Sequence, residues 1–218
     1  IVKEEIKIEN ICPVIGMISS GKSSILNALF NINLLEANPD VTTKIVTMIR
    51  YSKYIKNEPI FYKLSLEKDG NNNYKFFKED IEIKGNEKIK QKIEELNKKL
   101  SQTIPKYEDI FYMLELGKVN SIDKEFLEHY VLADIPGVSE NIKQNNKNEI
   151  NINNSGFIQK EENLNNIYDF VNLNTEEELI NYNLEKEINY LTQIFKIIKN
   201  KMKNGICIFS VDKFQLTE

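Results

Sequence analysis

Gly16-Met17-Ile18-Ser19-Ser20-Gly21-Lys22-Ser23 spells G-x-x-x-x-G-K-S between a short apolar run and a helix-forming segment. Such a loop needs a strand before it and a helix after it. Ile11, Val14 and Ile15 read as the strand, and Ser24-Ile25-Leu26-Asn27-Ala28-Leu29-Phe30 as the helix. The glycines let the loop curl so that backbone N–H groups point inward at a β-phosphate, Lys22 reaches the β- and γ-oxygens, and Ser23 offers its hydroxyl to Mg²⁺. A surface turn that matches by chance lacks the flanking strand and helix. Pro13 removes one ladder donor from the strand, so the strand starts near it or tolerates one missing bond.

With 218 residues, 41% of them hydrophobic, the chain suits one large α/β domain with insertions better than two domains. The net charge of −4 provides no basic footprint for nucleic acid, which is not an expected partner. Cys12 and Cys207 both lie in apolar runs, and with the lone His129 they form no ligand set, so packed thiols in a reducing compartment are expected. No apolar run has the length of a bilayer span, and the first residues do not resemble a signal peptide.

Beyond the first helix, the β-branched stretch Thr42–Tyr51 predicts a strand, Ile60–Leu66 another, and Asp69-Gly70 a turn into Tyr74–Phe77. Ile89, Ile93, Leu96 and Leu100 predict a surface helix whose mixed charges favour a solvated face over a membrane-lying one. Phe111–Leu116 fits strand and helix equally well. Tyr130–Asp134 reads as a buried strand, and the Asn-rich stretch 138–174 as a long flexible insertion. Thr175-Glu176-Glu177-Glu178 is a capping box opening a helix that Leu184, Ile188, Leu191, Phe195, Ile198 and Met202 track along one face. Gly205 ends that helix, and Ile206–Val211 reads as a buried parallel strand. The order implies an α/β P-loop NTPase fold: a doubly wound, mostly parallel sheet with helices on both faces and ligand at the carboxyl ends of the strands.

Asp134-Ile135-Pro136-Gly137 adds a D-x-x-G element at a strand end. Asp134 can hold Mg²⁺ through water, and Gly137, without a side chain, can bring its N–H close to a γ-phosphate and release it when that phosphate leaves. Thr42 and Thr43 precede a strand, where a threonine can complete the Mg²⁺ shell and position water. Thr43, nearer the strand start, is the favoured one of the two.

These patches, Gly16 to Ser24 followed by Ile25-Leu26-Asn27-Ala28-Leu29, then Thr42-Thr43, then Leu132-Ala133-Asp134-Ile135-Pro136-Gly137, resemble the dynamin superfamily of large GTPases. The long interval between the threonine pair and Asp134 is similar too. The resemblance implies a G domain incomplete at both ends over residues 1–218, with 138–174 as an insertion and its inter-switch insertion between the threonines and Asp134. It further implies GTP hydrolysis with Mg²⁺, stimulated by homodimerisation through G domains and coupled to membrane remodelling. The location implied is cytoplasmic, peripheral on membranes through regions outside this segment. By position, Gly16, Ser19, Ser20, Gly21, Lys22, Ser23, Ser24, Asp134 and Gly137 would bind nucleotide. Ser23, Thr43 and Asp134 would hold the metal, and Ser19 and Thr43 would serve catalysis, Ser19 by assisting water or compensating charge.

The chain departs from the family pattern at Ile18, where many dynamins carry a polar residue, and at Val46, where a proline often stands. No N-K-x-D or T-K-x-D element for guanine appears before Glu218. In keeping with the resemblance, which implies no Ras-like glutamine after the D-x-x-G element, Val138 follows Gly137. Guanylate-binding relatives carry Arg at the position of Ser19. A degenerate G domain acting as a nucleotide-gated scaffold, and a P-loop ATPase, are the alternative readings.

Overall fold

The computed structural model describes residues 4–37, 42–55, 58–71, 73–100, 106–117, 124–137, 176–202 and 207–210. The elements in chain order are β1 (Glu5–Ile6), β2 (Ile11–Gly16), α1 (Lys22–Phe30), β3 (Val46–Tyr51), β4 (Ile60–Lys68) and β5 (Tyr74–Lys84). They continue with α2 (Asn86–Leu100), a short 3-10 turn (Tyr107–Asp109), β6 (Phe111–Leu116), α3 (Lys124–His129), β7 (Val131–Asp134), α4 (Glu176–Lys199) and β8 (Ile208–Ser210). The strands form one sheet in the order β1-β5-β4-β6-β3-β7-β2-β8.

Alternation along the strands divides the core between two faces. Ile11, Val46, Met48, Phe111, Met113 and Ala133 face one side, where Leu191, Ile194, Ile197 and Ile198 of α4 cover them. Cys12, Val14, Ile49, Leu114 and Leu132 face the other, under Leu26 and Phe30 of α1, Ile89 and Ile93 of α2 and Leu127 of α3. Each fully buried aliphatic side chain of this kind contributes roughly 1.5–3 kcal/mol. The chain thus adopts the expected α/β P-loop class with helices on both faces, but the sheet is mixed rather than mostly parallel, with three parallel and four antiparallel strand pairs among the described residues. Parallel pairing joins β7, β2 and β8, and separately β3 and β6. Antiparallel pairing comes from β3 running against β7 and from the β4–β5 hairpin, which extends the sheet past β6. This hairpin and α2 form the insertion between the threonine pair and Asp134.

The hairpin turn is fixed by Asp69, whose carboxylate accepts the N–H groups of Asn71 and Asn73, both at 2.9 Å. Across from Lys63 the β4–β5 register shifts, with Tyr62 opposite Glu82 but Leu64 opposite Lys78. The extra residues on β5 bulge outward and leave Ile81 exposed.

Pro13 is accommodated for a local reason. The Ile11 N–H donates to the Lys201 carbonyl, on the side where β8 later joins. Two residues on, Pro13 would direct its donor to the same side, but β8 pairing begins only at Val14 opposite Ile208.

Three features differ from the sequence reading. Strand β3 starts at Val46 rather than Thr42, because Lys44 and Ile45 give their N–H groups to the Asn97 side chain instead of a ladder. On α4 the buried row is Leu191, Ile194, Ile197 and Ile198, whereas Ile188 is 41% exposed and off that row. Strand β8 is parallel to β2 as expected, but it ends the strand order and its Phe209 is 70% exposed. The stretch 138–174 lies outside the described residues.

Candidate functional site

Strands β2 and β7 are parallel neighbours with Val14 opposite Asp134, so their carboxyl ends deliver the phosphate-type loop and the D-x-x-G turn to one place. Helix α1 begins at Lys22, with Gly21 as its N-cap at φ 84° and no side chain capping the first turn. That left-handed φ suits glycine. The uncapped N–H groups and the positive end of the helix dipole face the loop, an arrangement suited to an anion. No acidic residue stands in the first turn.

The Lys22 side chain is only 5% exposed, and its ammonium donates to the carbonyls of Met17 at 2.7 Å and Gly16 at 3.4 Å. Burial lowers its pKa, and the charge of Asp134 pulls it back up. Ser20 Oγ donates to the Met17 carbonyl at 2.8 Å, and the Ser210 hydroxyl of β8 donates to the Ser20 carbonyl. The loop is therefore tied at several points before any ligand contact, which is how a cradle is preorganised.

The buried Ser23 hydroxyl donates to Asp134 Oδ2 at 2.6 Å and lies 3.4 Å from Thr43 Oγ1. Asp134 is fully buried. Desolvation pushes its pKa up to about 6, while the Ser23 hydrogen bond and the Lys22 charge oppose that rise. Its second oxygen, Oδ1, is buried and has no hydrogen-bond partner among the described residues. An unpaired buried acceptor costs about 1–3 kcal/mol, so this carboxylate is set up for a further donor or a cation. Two hydroxyls and one carboxylate, all hard oxygen donors converging on one point, fit Mg²⁺, which takes few protein ligands and keeps water and phosphate oxygens.

The cleft is lined by Ile18, Ser19, Gly21, Lys22, Ser23, Ser24, Glu36, Ala37, Thr42, Thr43 and Gly137. Ser19 holds a left-handed backbone at φ 59°, uncommon for serine, at the crest of the loop. Both threonines reach the cleft, but Thr43 is the one placed against Ser23. Gly137 approaches the loop so closely that a Cβ there would stand 2.7 Å from both the Ile18 nitrogen and the Lys22 ammonium. Gly16 ends β2 beside Ser210 rather than lining the cleft, and Ser20 likewise faces the loop's own backbone.

Sequence reasoning missed Glu36 and Ala37, which stand in the loop after α1. It also missed Asn27, whose side-chain amide donates to the Leu35 carbonyl and accepts the N–H groups of Leu34 and Leu35. The signal was present as a polar residue within the apolar run Ile25–Phe30, and the Asn27 side chain ties the chain after α1 back to the helix. The two thiols play no part here. Both are free, and burial pushes Cys12 up to about 11, with Cys207 adding to the rise, so it stays protonated at neutral pH.

A strand–loop–helix anion cradle with a buried lysine, facing a D-x-x-G turn across a serine–aspartate bond, defines a P-loop nucleotide-binding domain of the G-domain type. A family model described as the dynamin family matches residues 13–202, and the chain belongs to that family. No curated protein matches it in sequence. Two similar solved structures come from an oligomerised bacterial dynamin pair described as sensing and tethering membranes at long range. One is 20% identical, with a TM-score of 0.35 over 64% of this chain and 19% of the other. The second is 18% identical, with a TM-score of 0.33 over 93% of this chain and 30% of the other. The chain thus spans less than a third of either.

Proposed function

We propose that this domain binds GTP with Mg²⁺ and hydrolyses it. The observation that carries the reading is the convergence of Ser23, Thr43 and Asp134, with one buried carboxylate oxygen left to be satisfied, beside the Lys22 ammonium. Ser23, Thr43 and Asp134 would hold Mg²⁺, which would supply charge neutralisation for the phosphate groups. Ser23 and Thr43 would turn their hydroxyl oxygens to the metal, and Asp134, ionised, would hold metal-bound water. Lys22 would exchange its carbonyl contacts for phosphate oxygens, and the Gly16–Ser24 backbone would supply N–H donors. Thr43 and Ser19 would orient the attacking water, whose oxygen bonds to the γ-phosphorus as the bond to the β–γ bridging oxygen breaks. Gly137 would sense the γ-phosphate with its N–H. Catalysis in such a site rests on positioning and electrostatics.

Guanine preference, nucleotide-dependent pairing of two copies through this face, and coupling of that pairing to membrane remodelling rest on family membership. Membrane contact would be peripheral and cytoplasmic, made by regions beyond this domain. Among the described residues no helix is long and apolar enough to cross a membrane. Competition of labelled GTP by unlabelled ATP and GDP, with hydrolysis followed with and without liposomes, tests the assignment. Displacement by GDP but not by equal ATP supports it, and equal displacement by ATP contradicts the guanine preference.

A further inference from the structure

The peptide that follows Thr43 is held from both faces of the sheet. On one side, Asn97 of α2 accepts the Lys44 N–H at 2.9 Å and the Ile45 N–H at 3.4 Å through its Oδ1. From the other, the Tyr190 hydroxyl of α4 donates to the Lys44 carbonyl at 3.1 Å. Asn97 is 1% exposed and occupies the third place of the row Ile89, Ile93, Asn97, where an apolar side chain would pack without desolvating an amide. Its Nδ2 has no partner among the described residues, and the bonds the amide makes there all run through its oxygen. Its bonded atom is the acceptor, and that acceptor is spent on two backbone donors one and two residues past Thr43. The Tyr190 ring packs against the α4-side core, and burial raises its pKa, which keeps the hydroxyl a donor.

Resting on the GTPase reading above, we infer that Asn97 and Tyr190 are positioning residues that clamp Lys44 and thereby fix the Thr43 hydroxyl against Ser23 for hydrolysis. Neither side chain lines the cleft. The clamp acts through one peptide unit: a shift of Lys44 moves Thr43 Oγ1 from its 3.4 Å place beside Ser23 Oγ while the Gly16–Ser23 loop stays tied by its own bonds. An element of the insertion, α2, and the helix before β8, α4, thus meet at the same residue, Lys44, directly after the threonine. Loss of the clamp lowers the rate of the chemical step and leaves ground-state nucleotide binding, carried by Lys22 and the loop backbone, nearly unchanged.

The test uses the full chain with Tyr190→Phe, Asn97→Leu and the acceptor-preserving Asn97→Asp. Single-turnover GTP hydrolysis is expected to fall about tenfold or more in Tyr190→Phe and Asn97→Leu, with GTP affinity within about threefold of the parent, and Asn97→Asp is expected to recover most of the rate. Unchanged rates in the first two variants, or rate and affinity falling in parallel, overturn the clamp. If the parent binds GTP without hydrolysing it, the GTPase reading fails by itself, and amide exchange with nucleotide bound decides the clamp. Faster exchange at Lys44 and Ile45 in Tyr190→Phe then supports it, and unchanged exchange overturns it.

Discussion

Ser23 Oγ donates to Asp134 Oδ2 at 2.6 Å across 111 positions of sequence, and this bond joins the first turn of α1 to the last residue of β7. Asp134 Oδ1, fully buried, has no partner among the described residues. A buried carboxylate oxygen of this kind carries a local cost, which a metal and its waters would relieve.

That cost has a pH signature. The folded pKa of Asp134 is raised from 3.8 to about 6, so its contribution favours the fold below the ordinary carboxylate range and is lost as pH rises through about 6. A rise of this size corresponds to on the order of 3 kcal/mol. Without nucleotide or metal, Asp134→Asn is expected to be more stable than the parent to urea by up to that amount at pH 8, with the difference vanishing near pH 4. An equal difference at both pH values contradicts the assignment. With nucleotide, the same variant is expected to lose the Mg²⁺ dependence of GTP binding.

Lys22→Ala removes a buried ammonium held by two loop carbonyls. Nucleotide affinity is expected to fall at least a hundredfold while the far-ultraviolet circular dichroism is retained, since the core clusters do not include Lys22. The Asp134 titration is expected to move upward, because the Lys22 charge is one of the two influences holding it down. Unchanged GTP affinity argues against the cradle.

Gly137→Ala places a methyl group 2.7 Å from the Ile18 nitrogen, a backbone atom that cannot swing aside. The turn must retreat from the loop, so hydrolysis is expected to slow at least tenfold and the affinity ratio of GTP over GDP to shrink. Isothermal titration with GDP and a non-hydrolysable GTP analogue reads the ratio, and a parent-like value contradicts a γ-phosphate role for this turn.

Much of this was legible from the chain because the informative residues are local. The Gly16–Ser23 loop, the β4–β5 hairpin and the strand ending at Asp134 each carry their signal within a few residues, and the structure brings the predicted Ser23, Thr43 and Asp134 together. Phe111–Leu116 was ambiguous because β6 is buried on both faces between β4 and β3, which erases alternation. Residues 42–45 lie outside the strand, and β-branched content does not reveal that a side chain, Asn97, takes the N–H groups of Lys44 and Ile45 from about 50 positions away. Asn97 is visible only as a polar residue on an apolar helix face, and its partners are set by tertiary contact, whereas Asn27 bonds Leu34 and Leu35 just beyond its own helix.

The most direct test of the whole account is single-turnover hydrolysis of GTP at high protein concentration with Mg²⁺ present, comparing the parent with Ser23→Ala. The parent is expected to convert bound GTP to GDP and phosphate, with Ser23→Ala slower by at least a hundredfold. A parent that leaves GTP intact, or a variant that matches its rate, contradicts the account.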